Sequence, residues 1–343
     1  MDEVHLAKEV GSEMSDTATR TKKQDKQNVN KEKTLLVFHI PKTGGNTIQR
    51  LIERKFSKDA MFLFHGGLPE GFQKDVDLLE RLSEEDKRRI RCIWGGPFCG
   101  IHKYLPQPSI YVALFRDPIE RVISDYYWVL RRRTNAAHNE VVSKNMSLED
   151  YVINGVWRAW NGQTRFIRRV PEVSPPGHGP VSLSNDDLEI AKANLRQNFV
   201  FGLIERFDES LILLKRTLGW RTKDIFYVKQ NVARNRPAKD RIGSETVKLI
   251  EDHNELDIKL YEFVKQMFEE RIARQGTSFN RELQTFRLLN TVFGPVMNIY
   301  DKVKIKVFTP LIALVRLLLA LVKREVSASY VYNKVKDSLK STR

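Results

Sequence analysis

The chain has 343 residues, of which 41% are apolar and 29% charged, and its net charge is +15. It is long and apolar enough to bury a sizeable core as one large globular domain with appendages. The basic charge does not indicate a nucleic-acid binder, because no aromatic-basic repeat or known binding motif accompanies it. Cys92 and Cys99 are the two cysteines, and they fit neither a zinc site nor a disulfide framework, so we expect a reducing cytoplasm and no metal.

Residues 1–33 are polar, aperiodic and balanced in charge, which predicts a disordered leader rather than a signal peptide. A buried strand is then predicted to end at Ile40, and it leads directly into the sequence PKTGGNT, residues 41–47. The two glycines allow a sharp turn close to a ligand, and the amides that open the next helix point at any anion bound there. The usual nucleotide-triphosphate loop has its lysine after the last glycine, whereas Lys42 precedes the glycines, so a magnesium NTPase is disfavoured.

A second apolar strand is predicted at residues 109–115, and Arg116 follows it at the start of a helix. Pro118 suits the first turn of that helix, where a missing N–H costs nothing. Ser124 lies about two turns further on. A bidentate arginine and a serine hydroxyl at these positions predict a second anion site.

Further strands are predicted at 61–64, 91–94, 199–203 and 224–228, and further helices at 46–56, 207–218 and 244–267. Alternating strands and amphipathic helices predict an α/β fold with a three-layer parallel sheet, in which ligands bind outside the carboxyl ends of the strands. The Pro/Gly-rich stretch 171–180 is a candidate lid or acceptor-site rim.

PKTGGNT together with RDPIERVISDYY, residues 116–127, resembles the carbohydrate sulfotransferase family that includes the heparan and uronyl 2-O-sulfotransferases and bacterial relatives. Weaker similarity at 161–165, 202–207 and 231–237 extends the resemblance from about residue 34 to about residue 275. The resemblance implies transfer of a sulfuryl group from 3′-phosphoadenosine-5′-phosphosulfate (PAPS) to a hydroxyl of a carbohydrate acceptor, either a polysaccharide or a glycolipid, without a metal.

The resemblance also assigns roles to residues. The 3′-phosphate of PAPS would be held by Arg116 and Ser124. Lys42 would stabilise the leaving bridging oxygen, and Thr47 would contact the sulfuryl oxygens. The 5′-phosphosulfate would be held by the loop residues Lys42, Thr43, Gly44, Gly45, Asn46 and Thr47.

An acceptor hydroxyl also needs a general base. Gly96 stands where many relatives carry the histidine of a Gly-His pair. His102 is therefore the candidate base, with His65 as a second choice. Two alternatives remain open: a PAPS-binding pseudoenzyme or scaffold, favoured by Gly96, and a P-loop kinase, which Mg²⁺-dependent ATP binding would revive.

The last 63 residues hold twelve Lys/Arg against four Asp/Glu, a net charge of +8. An apolar stretch at 307–322 would make a helix of roughly 24 Å, shorter than the roughly 30 Å hydrocarbon core, and Arg316 lies near its middle. This predicts a basic amphipathic tail, bound to a membrane surface or packed against the catalytic domain or a partner subunit, rather than a membrane span.

The predicted organisation is therefore a leader at 1–33, a sulfotransferase domain at 34–279 and the tail at 280–343. We expect a cytoplasmic protein that can be peripheral on the inner membrane surface.

Overall fold

The structure is a computed structural model that describes residues 33–64, 69–96, 99–135, 137–156, 158–168, 183–197, 199–228, 237 and 239–303. Nearly all of the predicted leader, the stretch 171–180, His65 and most of the predicted tail lie outside these ranges.

The centre of the fold is a five-stranded sheet in which every neighbouring pair of strands is parallel. The strand order is β2-β3-β1-β4-β5. The strands are β1 (Thr34–Phe38), β2 (Met61–Phe64), β3 (Cys92–Gly95), β4 (Ser109–Phe115) and β5 (Phe199–Leu203). All five residues of β1 are buried, as expected for a central strand covered on both faces. The predicted parallel α/β fold is confirmed.

The described residues form twelve α-helices. They are α1 (Gly45–Lys55), α2 (Pro69–Arg81), α3 (Glu84–Arg89), α4 (Pro118–Arg131), α5 (His138–Ser143), α6 (Leu148–Ile153), α7 (Gly162–Arg168), α8 (Asn185–Arg196), α9 (Phe207–Leu218), α10 (Ser244–Asp252), α11 (Glu255–Ala273) and α12 (Thr277–Val303). From β1 the chain goes to the edge strand β2, returns to β3 beside β1, and then continues on the other side of β1 with β4 and β5. The carboxyl ends of β1 and β4 therefore flank the switch point where open α/β sheets bind ligands.

Two predicted elements differ from the structure. The strand predicted at 224–228 is wrong, because Thr222–Ile225 is a short 3₁₀ helix. There the Asp224 carboxylate accepts a local hydrogen bond from the Arg221 amide at 2.9 Å and one from Lys55 Nζ, distant in sequence, at 2.8 Å. The helix predicted at 244–267 is divided into α10 and α11. Asn254 lies at the break and donates to Ala159 O and Ile250 O.

The chain divides into two compact units. The larger unit contains the sheet and continues to Phe286, without Phe226–Val228. In the second unit, Phe226–Val228 packs on residues 287–303 of α12, with a hydrogen bond of 2.8 Å from the Tyr227 amide to Asn290 Oδ1. The predicted boundary at 279/280 falls within α12 and stays a prediction. Among the described residues, no helix combines the length and the apolar character that crossing a membrane requires.

Candidate functional site

The loop after β1 contains two glycines, at positions where a side chain would not fit. Gly44 caps α1 with a left-handed backbone, φ 81°, and a Cβ placed there would lie 2.5 Å from Ile204 Cδ1. A Cβ on Gly45 would lie 1.9 Å from His39 Nε2. The missing side chains bring the first turn of α1 close against its surroundings and leave its opening amides directed out of the helix end, where an anion can bind.

The polar side chains of this loop differ in burial and in their hydrogen bonds. Thr43 is buried and its hydroxyl donates to Ile40 O at 2.8 Å, which stabilises the turn. The hydroxyl is therefore occupied, and the main-chain amide of Thr43 is the group that can bind a ligand. Thr47 is buried in the first turn of α1, and its amide donates to Gly44 O at 3.0 Å. Asn46 is exposed beside it.

Lys42 adopts the left-handed backbone conformation, φ 73°, which is uncommon outside glycine. Its ammonium lies 5.0 Å from the centre of the Trp128 ring, a cation–π distance. Burial lowers the pKa of Lys42 to about 8, and Arg158, Arg116 and other nearby arginines add to this, while Asp125 opposes it. A bound anion would raise the pKa of Lys42 again and hold the lysine in its charged form.

His39 stands immediately before this loop and is a residue to which sequence reasoning gave no role in the site. Its ring stacks on Trp94 with 5.1 Å between centres. Burial, followed by the charges of Arg158 and Lys42, lowers its pKa to about 4. The imidazole is therefore neutral at physiological pH, and Lys42 is one of the charges that act on it.

Arg116 joins the loop after β4 to the loop after β1. One guanidinium nitrogen donates to Lys42 O at 3.2 Å and the other to Glu120 Oε2 at 3.0 Å. Ser124 lies in the second turn of α4 and is half-buried. Trp128 follows it one turn later, and this spacing of four residues was the only sequence signal that could have placed the ring beside the site.

His102 has a different location from the other candidate residues. It is exposed in the short 3₁₀ helix Ile101–Tyr104, and its Nδ1 lies 2.7 Å from the Tyr111 hydroxyl. Tyr111 is the third residue of β4, about 13 Å of extended strand before Phe115. Burial and the neighbouring Lys103 lower the pKa of His102. The structure thus brings Lys42 and Arg116 together at the strand ends, and has His102 beside the middle of β4.

The arrangement is suited to binding an anion with two charged groups. Lys42 and the amino end of α1 lie at the end of β1, and Arg116 lies at the end of the neighbouring strand β4. Phosphate and sulfate oxygens are the ligands that such amides and guanidinium groups bind best.

Comparison with known proteins finds similarity to sulfotransferases. The model of the galactose-3-O-sulfotransferase family matches residues 181–294. Galactose-3-O-sulfotransferase 3 of Bos taurus is 28% identical over 231 residues, which cover 61% of this chain and 51% of the relative. Heparan-sulfate 6-O-sulfotransferase 2 of Danio rerio is 23% identical over 295 residues, covering 74% of this chain and 62% of the relative. The chain thus spans between half and two thirds of the length of these relatives.

Two expectations change with these matches. They do not extend to the 2-O-sulfotransferase or bacterial branch that the two motifs resembled. The expected cytoplasmic location is wrong, because the relatives are Golgi sulfotransferases. The matches show that this chain is similar to carbohydrate sulfotransferases, enzymes that transfer a sulfuryl group to a sugar.

Proposed function

We propose that this chain transfers a sulfuryl group from PAPS to a hydroxyl of a carbohydrate. The observation that carries the proposal is the contact of 3.2 Å between the Arg116 guanidinium and Lys42 O. It links two anion-binding loops at neighbouring strand ends, as a donor with a 5′-phosphosulfate and a 3′-phosphate requires. The names of the relatives point to galactose and heparan sulfate as acceptors to test first.

Each residue has a chemical task in this proposal. PAPS supplies the SO₃ group, and negative charge builds on its 5′-phosphate as the bond to sulfur breaks. Lys42 neutralises that charge, and its task grows as the reaction proceeds, so it acts on the transition state more than on binding. The amides of Gly45 and Asn46 and the hydroxyl of Thr47 hold the oxygens of the phosphosulfate, while Arg116 and Ser124 hold the 3′-phosphate.

The acceptor proton needs a base, for which His102 remains our prediction. Its lowered pKa keeps it neutral and able to accept a proton at pH 7. Its contact with Tyr111 and the glycine at position 96 are the observations that favour the alternative, a PAPS-binding protein without turnover. If His102 is the base, His102→Ala abolishes sulfation and leaves nucleotide affinity intact. If instead Gly96→His raises turnover strongly and His102→Ala changes nothing, the natural chain binds the donor without using it efficiently.

The donor site is tested by calorimetry with adenosine 3′,5′-bisphosphate and AMP. We expect the bisphosphate to bind more tightly, and Arg116→Ala to remove about 2 to 4 kcal/mol of that preference by deleting a charge-assisted contact. Arg88→Ala, an exposed arginine at the end of α3, is the control and should bind like the wild type. Equal affinities of the wild-type protein for both nucleotides would contradict the proposal, and Mg²⁺-dependent ATP binding would favour a kinase.

The tail provides a second partner in this proposal, an anionic lipid surface. In the second unit, α12 exposes an apolar stripe spaced by three and four residues: Leu288, Val292, Val296, Ile299 and Val303. Leu288 is 74% exposed. Chain continuity leads from this stripe into the strongly basic last residues, a combination typical of interfacial helices. We expect binding to vesicles that contain phosphatidylserine and none to neutral vesicles, and weaker binding for Leu288→Ser with Val292→Ser. Equal sedimentation with both kinds of vesicle would contradict this part.

A further inference from the structure

Arg116 is held in place through its main chain as well as its guanidinium. The Arg116 amide donates to Gln163 Oε1 at 3.0 Å, and Gln163 Nε2 donates to Arg116 O at 2.8 Å. The register of β1 with β4 ends at Phe38 and Ala113, so no further β1 residue in that register pairs with Arg116. The side-chain amide of Gln163 thus takes both hydrogen bonds that a neighbouring strand would otherwise provide.

Gln163 is itself fixed from the other side. Its side chain is fully buried, and its main-chain amide donates to Asp257 Oδ2 at 3.0 Å. Asp257 Oδ1 accepts from the amide and the hydroxyl of Thr164, at 2.7 and 2.8 Å. A carboxylate on the first amides of a helix makes charge-assisted hydrogen bonds and interacts favourably with the helix dipole. Asp257, in the first turn of α11, therefore anchors the amino end of α7.

We propose that Gln163 is a positioning residue for the 3′-phosphate of the donor: it holds the Arg116 main chain so that the guanidinium is directed at the phosphate before the nucleotide binds. This inference rests on the proposed function. It gives a task to residues 161–165, whose similarity to sulfotransferases had no role attached. Preorganisation matters here because an arginine fork that must first be ordered loses part of its binding free energy to conformational entropy.

The test uses Gln163→Met, which keeps the length of the side chain and removes both hydrogen bonds to Arg116. We expect the dissociation constant for adenosine 3′,5′-bisphosphate to rise about tenfold, as for one lost hydrogen bond to a positioned group, and that for AMP to stay within twofold. In turnover, KM for PAPS should rise while kcat at saturating PAPS is unchanged. In an Arg116→Ala background, Gln163→Met should have no further effect on the ratio of the two dissociation constants.

Gln107→Met is the matched control. Gln107 Nε2 also holds main-chain carbonyls, those of Lys87 and Ile90, but it lies before the amino end of β4. It should lower stability and leave the preference for the bisphosphate unchanged. If Gln163→Met does not fold, Gln163→Asn provides the same measurement, because the shorter Asn side chain does not reach both main-chain groups of Arg116.

The outcomes separate the two proposals. A wild-type protein that does not distinguish the bisphosphate from AMP contradicts the proposed function itself. A wild-type preference that survives intact in a folded Gln163→Met or Gln163→Asn variant overturns only the positioning role. A loss of preference shared equally by the Gln107 variant would show a general effect of destabilisation, and would also overturn it.

Discussion

The two loops of the candidate site are built in different ways. The loop after β1 is a local structure: a strand end, a lysine and two glycines within residues 39–47, whose shape follows from their own backbone. The loop after β4 is assembled from distant parts of the chain, because Arg116 is held by Gln163 and Lys42, which lie 47 and 74 residues away in sequence. Glu205, 88 residues from Asp117, accepts from the Asp117 amide at 2.8 Å. Substitutions should therefore act locally in the first loop and be transmitted over long contacts in the second.

The largest effect is expected in the first loop. Lys42→Ala should lower kcat by roughly 10² to 10³, because the charge is needed most in the transition state, and should weaken donor binding less. Single-turnover rates at saturating PAPS measure this. Thr47→Ala should show the same pattern more mildly, and Lys58→Ala, an exposed lysine, serves as the control. If Lys42→Ala reacts at the wild-type rate, Lys42 does not stabilise the leaving oxygen.

Gly44→Ala sharpens the comparison by adding a single methyl group to the local loop. The left-handed backbone alone costs about 1 to 2 kcal/mol for alanine, and the contact with Ile204 adds to it, so both stability and nucleotide affinity should fall. Gly219, with φ 66° and open space where a Cβ would stand, is the matched control: Gly219→Ala should lose only the backbone contribution, and no affinity. Denaturant unfolding and calorimetry on both variants measure this. Equal losses of stability in Gly44→Ala and Gly219→Ala would mean that the contact with Ile204 is unimportant.

The pH dependence of binding isolates the charge of Lys42. Below its pKa of about 8 in the empty site, Lys42 is protonated and attracts the nucleotide. As pH rises through 8 the empty site loses this charge, so affinity should fall by up to tenfold per pH unit. The measurement is made between pH 7 and 10, where a phosphate with a second pKa of about 6 no longer titrates. Lys42→Arg keeps its charge throughout, and a wild-type profile as flat as that of this variant would refute the assignment.

The smallest effect is expected at the outer support of the second loop. Tyr261 donates to Glu205 Oε2 at 2.9 Å, while Glu205 Oε1 holds the Asp117 amide. Tyr261→Phe removes one hydrogen bond, worth about 1 kcal/mol, and leaves the direct contact with Asp117, so affinity for the bisphosphate should fall threefold or less. Tyr300→Phe on the exposed part of α12 is the control. A loss as large as that of Gln163→Met would mean that Glu205, rather than Gln163, dominates the support of Arg116.

Much of the sheet was predictable from the sequence, since its strands are apolar runs bounded by turn residues. The predicted strands at 61–64, 109–115 and 199–203 have the observed bounds, and the strand predicted at 91–94 occurs one residue later. The prediction at 224–228 was wrong because periodicity carries no information about the partner of Asp224, which is Lys55. The division of the helix predicted at 244–267 likewise depends on Asn254 finding a carbonyl 95 residues away.

The sequence alone determined the local half of the candidate site, because Lys42, Gly44 and Gly45 are adjacent residues whose backbone preferences and charge act within one turn. It also indicated Arg116, as an arginine at the end of a strand. Only the tertiary structure decided that Gln163 and Asp257 support Arg116 and that Trp128 lies over Lys42. The physical reason is that such hydrogen bonds and ring contacts are short-ranged in space but unconstrained in sequence, so they exist only after the sheet and helices have brought distant residues within about 3 to 5 Å of one another.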